Sequence, residues 1–254
     1  MDNYNQEFSN YTVIDSHQTN ATGVVAKKFM ASVFLWMFVA LGISTVFSVL
    51  YATNATLLQQ LYTLGENGMM RPSTLGWVIT FAPFGFVLLM SLGFNKLSAP
   101  ALTFLFLFFA AIMGMSLSVI LLVYTASSVI GCFAAASVMF GVMAVMGYTT
   151  NTDLTSFGRI LSMGLIGMIV AMVINMFLHS SGMAYIISLV GVAVFTGLTA
   201  YDTQKLKRIG AGLEYEGTSA SDTKKLAVMG ALTLYMDFIN LFLMLLRLFG
   251  NRRD

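Results

Sequence analysis

Residues 231–250 read ALTLYMDFINLFLMLLRLFG, an apolar run of helical length that carries one carboxylate, Asp237. Lipid hydrocarbon solvates an ion poorly, so an acid within a membrane-spanning helix indicates a functional residue that needs a partner. Asn240 follows three residues later and shares a helix face with Asp237. Together with Tyr235 and Arg247, these groups make the helix costly to expose to lipid. We therefore expect this segment to lie inside a bundle, screened by other helices.

The composition of the whole chain indicates a membrane protein. Charged residues make up 9% of its 254 residues and apolar residues 57%, whereas soluble domains average about 25% charged residues. A helix needs about 20 residues to cross about 30 Å of hydrocarbon. The apolar runs have this length and are apolar on all sides, unlike the short alternating strands of a membrane barrel. The sequence predicts an all-α membrane protein with seven transmembrane helices, at residues 29–52, 75–94, 101–124, 129–147, 160–178, 183–203 and 226–249.

The chain before the first span is polar. Residues 1–28 contain Asn, Ser, Thr and three acids ahead of Lys27 and Lys28, without the basic start and short apolar core of a secretory signal. We expect a disordered tail over residues 1–28. One seven-helix transmembrane domain over residues 29–250 is expected to follow it.

Basic residues predict the orientation of the spans, because cytoplasmic loops carry an excess of Lys and Arg. If the spans alternate, Arg71, Arg252 and Arg253 lie on one side. The side of the N-terminus then receives Lys27, Lys28, Lys96, Arg159, Lys205, Lys207, Arg208, Lys224 and Lys225. This bias places the N-terminus inside and the C-terminus outside. The terminal arginines fit that orientation poorly, which leaves open a last segment that does not cross.

Small residues recur at four-residue spacing in three spans. Such stripes let helix backbones approach closely in lipid, so they predict a compact bundle rather than a wide aqueous pore. The alternative is that the small residues have a functional role, such as lining a path through the membrane. The stripes are Ala40, Ser44 and Ser48; Ala110, Gly114 and Ser118; and Gly167, Ala171 and Asn175.

Two classes of ligand find little support. The formal net charge of +2 is spread over several loops without a basic stripe among aromatics, so we expect no nucleic-acid binding. His17 lies in the tail, and His179 follows a span with no second His or Cys nearby, so no transition-metal site is expected.

Three stretches of the chain resemble the Bax inhibitor-1 family, also called the transmembrane Bax inhibitor motif family, and are most similar to its bacterial members. They are the terminal stretch quoted above, GLTAYDTQ at residues 197–204 and DLTSFG at residues 153–158. The resemblance covers everything after the tail. It implies six helices around a central C-terminal helix, in the inner (cytoplasmic) membrane of a bacterium. It also implies a pH-sensitive calcium leak, with Asp202 and Asp237 as the paired acids of its proton sensor.

The two acids suggest a mechanism. Two carboxylates close together in a low-dielectric interior cannot both ionise cheaply, so Asp202 and Asp237 should share one proton. Loss of that proton leaves two anions whose oxygens suit Ca²⁺. Ca²⁺ is then the permeant ion, held transiently by both acids, and no resident cofactor is expected. Alternatively, each acid is satisfied separately, Asp237 by Asn240 or a neighbouring hydroxyl group and Asp202 by Lys205.

The depths of the two acids raise a difficulty. Asp202 lies three residues before Lys205, whereas Asp237 lies twelve residues after Lys225. The segment between the two lysines is expected to be a long solvated loop, so the depths match only if one helix projects beyond the hydrocarbon.

Further polar residues are candidates for supporting the pair. Some bacterial relatives carry an arginine cluster at the end of the second helix that can latch onto the acids. Here residues 94–97 read FNKL, and Lys96 offers a point charge without a bidentate fork. Lys96, Asn240 and Arg247 are the supporting residues that we predict.

Two other functions compete with the calcium leak. Some bacterial relatives modulate a membrane-bound protease, and the polar tail would serve such an interaction. An intramembrane aspartyl protease also places one Asp on each of two helices. Its Gly-x-Gly-Asp context is absent, since LYM precedes Asp237 and TAY precedes Asp202. We therefore expect no enzyme.

Overall fold

The computed structural model describes residues 16–64, 70–215 and 219–253. Seven helices within these residues are long and apolar enough to cross a membrane, which confirms the prediction of an all-α membrane protein. A short helix and a two-stranded antiparallel hairpin connect the first two of them. The elements are α1 (Ser16–Thr53), α2 (Ala55–Leu61), β1 (Tyr62–Leu64), β2 (Met70–Pro72), α3 (Thr74–Gly93), α4 (Ala99–Val123), α5 (Ala126–Thr149), α6 (Thr155–Leu178), α7 (Ser181–Tyr215) and α8 (Ala220–Phe249).

The first helix starts earlier than the sequence predicts. Residues 16–28, which were expected in a disordered tail, belong to α1, and residues 1–15 lie outside the described residues. Tertiary contact supports the early start, because a Cβ at Gly210 of α7 would lie 3.4 Å from the Cα of Ala26 and 2.9 Å from the Phe29 ring. The part of α1 around Ala26 and Phe29 therefore packs against the last part of α7.

The predicted loop between Lys205 and Lys225 is wrong. Residues 205–215 continue α7 as a helix, and α8 already begins at Ala220. Leu206, Gly210 and Leu213 are buried, and their spacing places them on one helix face. Contact of this face with α1 and α8 keeps the charged segment helical.

The last helix is central, as the resemblance implies. Its most apolar window is 72% buried, against 6% for α6. It packs broadly against α1, α4, α5 and α7, while α3 packs mainly on α4 and α6 on α7. Four helices therefore enclose α8 closely, and α3 and α6 form an outer layer.

The last helix also runs the full height of the bundle. At its start, Lys225 Nζ lies 5.9 Å from the centre of the Phe94 ring, beside the turn between α3 and α4. Just beyond its end, Arg252 forms a β-bridge with Tyr124, at the turn between α4 and α5. Because α8 connects both ends of α4, an arrangement in which the last segment fails to cross does not fit. We call the end that holds the start of α8 the basic end, since it carries the nine lysines and arginines assigned above to the side of the N-terminus.

Two of the predicted small-residue stripes pack against each other. Ser44 on α1 donates a hydrogen bond of 2.7 Å to the carbonyl oxygen of Ala110 on α4. A Cβ at Gly114 would lie 2.8 Å from the Cα of Ser44, so only a glycine lets these backbones approach so closely. The stripes on α1 and α4 are thus a helix interface, as predicted.

The third stripe is not a close interface. Gly167 on α6 is exposed, and a Cβ added there would meet nothing within 4 Å. The buried residues of α6 are instead Gly158, Leu161 and Met168, which lie on its other face. Small size is needed only where a neighbouring backbone approaches, and none approaches Gly167.

Gly114→Ala should destabilise the protein, with Gly167→Ala as its matched control. A methyl group at Gly114 meets the rigid backbone of α1, so we expect a loss of about 1–3 kcal/mol from overpacking. The same change at Gly167 should be neutral or slightly stabilising, because Ala is the better helix former. Thermal unfolding in detergent measures both changes, and equal melting temperatures for the two variants would contradict the packing described here.

Candidate functional site

The structure brings Asp202 and Asp237 together at the contact between α7 and α8. Their carboxyl groups lie within interaction range of each other, and Lys205 is the nearby cation that acts on Asp202. Asp237 is 6% exposed, whereas Asp202 is half-buried. The two acids that the sequence singles out therefore form a pair inside the bundle.

The length of α7 removes the difficulty about depth. At about 1.5 Å per residue, its 35 residues measure about 52 Å, well beyond the roughly 30 Å of hydrocarbon. Asp202 lies thirteen residues before the end of α7, and Asp237 lies seventeen residues after the start of α8. The remaining difference of four residues is about 6 Å, a gap that the two side chains can span.

Some buried side-chain oxygens of α7 and α8 lack partners among the described residues. Thr196 and Thr203 on α7 and Asp237 on α8 each have a buried side-chain oxygen with no hydrogen-bond partner among the described residues. Leaving a buried polar group unsatisfied costs about 1–3 kcal/mol. Asp237, which faces Asp202, therefore presents a carboxylate oxygen that the described residues do not satisfy.

The other predicted site residues are not gathered at the pair. Asn240 is half-buried and makes no side-chain hydrogen bond to any described residue. Arg247 is exposed and lies ten residues beyond Asp237, about 15 Å along the helix. It lines a pocket of about 220 Å³ with Asn175 and residues of α6 and α7. Lys96 is exposed beyond the end of α3, and α3 packs mainly on α4. Among the described residues, none of the three forms a hydrogen bond or an ion pair with either acid.

A buried hydrogen bond beside the pair had not been predicted. Tyr235 is fully buried, and its hydroxyl lies 2.7 Å from Ser44 Oγ. Phe106 and Phe109 of α4 pack edge-on against its ring, with centroids 6.2 and 5.5 Å away. Tyr235 thus fixes α8 to α1 and α4 two residues before Asp237. The sequence analysis noted both Tyr235 and Ser44, but only the fold shows that their hydroxyl groups meet.

The end of α7 clamps the turn between α5 and α6. Gln204 donates to the carbonyl oxygen of Thr152 at 2.7 Å and accepts from the backbone of Leu154 at 2.9 Å. Lys207 donates to the carbonyl oxygen of Tyr148 at 2.7 Å. Arg208 completes the clamp with an ion pair of 2.8 Å to Asp153. The two sequence motifs at residues 153–158 and 197–204 therefore meet, immediately beside Asp202.

Asp153 lies in this turn, outside the membrane-spanning segments. Hydrogen bonds from the side chain and backbone of Thr155, and then from Arg208, lower the pKa of Asp153 from 3.8 to about 2. Because its native pKa is lowered, the clamp stabilises the folded state at pH values above 3.8 and loses this effect as the pH falls to about 2.

Asp153→Asn should lower the melting temperature slightly at neutral pH. The effect is small because the side chains of Arg208 and Asp153 are 50% and 65% exposed, and solvent screens exposed ion pairs. The difference from the unaltered protein should shrink between pH 4 and pH 2, as Asp153 becomes protonated. Thermal unfolding in detergent over this range checks the prediction, and a difference that stays constant down to pH 2 would refute it.

Comparisons with known proteins identify the family to which the chain belongs. Residues 26–254 match the family described as inhibitor of apoptosis-promoting Bax1. The chain is 45% identical over 226 residues to the inner membrane protein YbhL of Escherichia coli K12, which covers 89% of this chain and 92% of that protein. An uncharacterized protein of Rickettsia prowazekii is 44% identical over 186 residues, 73% of this chain and 77% of the relative. One of Borreliella burgdorferi is 39% identical over 242 residues, 95% and 100% of the two chains. With its seven apolar helices, the chain is a multi-pass inner-membrane protein that belongs to the Bax inhibitor family.

Proposed function

We propose that the protein is a pH-sensitive calcium leak of the inner membrane, controlled by a proton that Asp202 and Asp237 share. The observation that supports this proposal is the meeting of the two carboxyl groups between α7 and α8, inside the bundle. A structural role alone would not need two acids there, because burying like charges together is unfavourable.

A shared proton stabilises the closed contact. Two adjacent carboxylates in a low-dielectric interior hold one proton more readily than they both ionise. The protonated acid then donates a hydrogen bond to the other and ties α7 to α8. The charges that act on the pair are those of the two acids on each other and of Lys205 on Asp202. At higher pH the proton leaves, the anions repel each other, and the contact loosens.

The ligands at the pair suit passage of Ca²⁺ rather than tight binding. Ca²⁺ takes 6–8 oxygen ligands in stable sites. Among the described residues, no group of three or more His, Cys, Asp or Glu is arranged to hold a metal. Two carboxylates attract a divalent cation but supply too few ligands to retain it. Ca²⁺ is accordingly the permeant ion in this proposal and not a resident cofactor.

A pocket lies near Asp202 in sequence, between α7 and the start of α6. This pocket of about 290 Å³ is lined by Tyr201 and Lys205, the residues one before and three after Asp202, and by the clamp residues Gln204 and Arg208. The bundle beyond it is closely packed around α8. Opening therefore requires α7 to separate from α8, which is the movement that loss of the shared proton favours.

Asp202→Asn and Asp237→Asn should each abolish the pH control of calcium flux. In the unaltered protein, release of one proton changes the open population by up to about tenfold per pH unit, and flux should rise with pH. Asn keeps the shape of Asp but does not ionise, so flux through either variant should vary little. Calcium entry into proteoliposomes between pH 5 and pH 9, read with an enclosed calcium dye, measures this.

Asp222→Asn is the matched control. Asp222 lies in the first turn of α8, and its side chain is 51% exposed beside Lys225. This variant removes the same charge from the same helix and should keep the normal pH profile. A normal profile in both the Asp202 and Asp237 variants would refute the proton-sharing mechanism, and absence of flux in the unaltered protein would refute the calcium leak itself.

Modulation of a membrane-bound protease stays a prediction. It rests on the polar tail, of which residues 1–15 lie outside the described residues. The relatives compared above are an inner membrane protein and two uncharacterized proteins, and their names denote neither an enzyme nor a protease partner. Deleting residues 1–15 separates the two functions, because loss of the cellular effect with normal flux in liposomes would favour the interaction.

A further inference from the structure

A cleft of about 1050 Å³ opens at the basic end between α1, α4 and the start of α8. Its lining residues recur at helical spacing, within residues 25–36 of α1, 99–107 of α4 and 220–228 of α8. Phe29 and Val228 are buried and close its inner wall, while Phe104 is 67% exposed on its outer side. The cleft, here called the basic cleft, therefore opens sideways toward the surrounding lipid.

Two lysines stand at the rim of the basic cleft. Lys28 and Lys224 line it and are exposed, and neither forms an ion pair with a described side chain. The acid nearest to Lys224 in sequence is Asp222. It accepts a hydrogen bond from Ser219 at 2.8 Å and forms an ion pair with Lys225 at 3.6 Å. No described acid therefore competes with an external anion for the ammonium groups at the rim.

The floor of the basic cleft is apolar and aromatic. Trp36, Phe104 and Leu107 line it on the side that lies deeper in the membrane. Trp36 lies eight residues beyond Lys28, about 12 Å along α1. This distance separates a charged rim from an apolar floor as a phospholipid separates its phosphate from its acyl chains. Tryptophan is itself favoured at this depth of a membrane.

We propose that the basic cleft binds an anionic phospholipid, with the phosphate between Lys28 and Lys224 and one acyl chain along Trp36 and Phe104. A soluble anion would engage the rim but would gain nothing from the aromatic floor. A neutral lipid would fill the floor but would leave the two lysines without a net counter-charge. Only an anionic amphiphile satisfies both parts. The proposal is independent of the calcium function.

A second groove, which has no charged lining residue, serves as a comparison for the basic cleft. Between α1 and α5, a cavity of about 630 Å³ is lined by residues such as Phe34, Phe140 and Phe238, with almost no polar surface and no charged residue. Any acyl chain would fit there, and no headgroup would be selected. The two lysines therefore give the basic cleft its selectivity for charge.

The test compares Lys28→Gln/Lys224→Gln with Lys96→Gln/Arg159→Gln in the full chain. Lys96 and Arg159 are exposed at the same end but outside the basic cleft, so both variants lose two positive charges. Native mass spectrometry in neutral detergent measures binding of phosphatidylglycerol and phosphatidylcholine. At about 1 kcal/mol for each lysine, phosphatidylglycerol should bind the cleft variant about thirtyfold more weakly. The control variant should bind it normally.

Thermal unfolding with added ligand identifies the source of the anion. Phosphatidylglycerol should raise the melting temperature of the unaltered protein more than phosphatidylcholine or inorganic phosphate does. Equal stabilisation by inorganic phosphate would assign the rim to a soluble anion and overturn the proposal. Equally weakened phosphatidylglycerol binding in both double variants would also overturn the proposal, because it would show that the overall positive charge of the protein attracts the lipid.

Two further variants keep the test decisive if the cleft variant fails to fold. Lys28→Arg/Lys224→Arg retains both charges and should bind phosphatidylglycerol as the unaltered protein does. Lys224→Gln alone should weaken binding about fivefold. Unchanged binding in the single variant, with the fold intact, would remove Lys224 from the site and refute the proposal.

Discussion

A carboxylate cannot face lipid hydrocarbon, and this constraint orders the whole bundle. Asp237 forces α8 into the centre, where α1, α4, α5 and α7 enclose it. The outer helices α3 and α6 carry no acid and turn apolar side chains such as Phe84 and Phe177 outward. The central position of α8 therefore follows from the charge that it carries.

Enclosing α8 requires other helices to approach one another closely. Gly114 and Ser44 bring the backbones of α4 and α1 into contact, and Ser44 also meets the hydroxyl of Tyr235. Ser44 thus connects α1, α4 and α8, and its contact on α8 lies two residues before Asp237. In lipid, where no hydrophobic effect drives helices together, such packing and hydrogen bonding supply much of the association.

The sequence predicts the spans and the acid pair because both follow from the energy of solvation, which depends on residue type. It does not predict where neighbours lie. Gly167 and Gly114 have similar surroundings in sequence, yet only Gly114 meets a backbone. Residues 205–215 are charged enough to read as a loop, but contacts of Leu206 and Gly210 with other helices keep them helical. Which polar residues reach the acids is likewise decided by tertiary packing.

Hydrogen bonds and close backbone contacts join the helices into two groups, which pack on each other along α7 and α8, where the acid pair lies. On one side, α1, α4 and α8 are joined through Ser44 and Tyr235. On the other, the clamp from Gln204 to Arg208 fixes α7 to the turn between α5 and α6, and a Cβ at Gly147 of α5 would lie 2.8 Å from the Cα of Ala200. Movement within either group would break buried contacts. Movement between α7 and α8 would separate Asp202 from Asp237, so in the function proposed above their protonation acts at the boundary between the two groups.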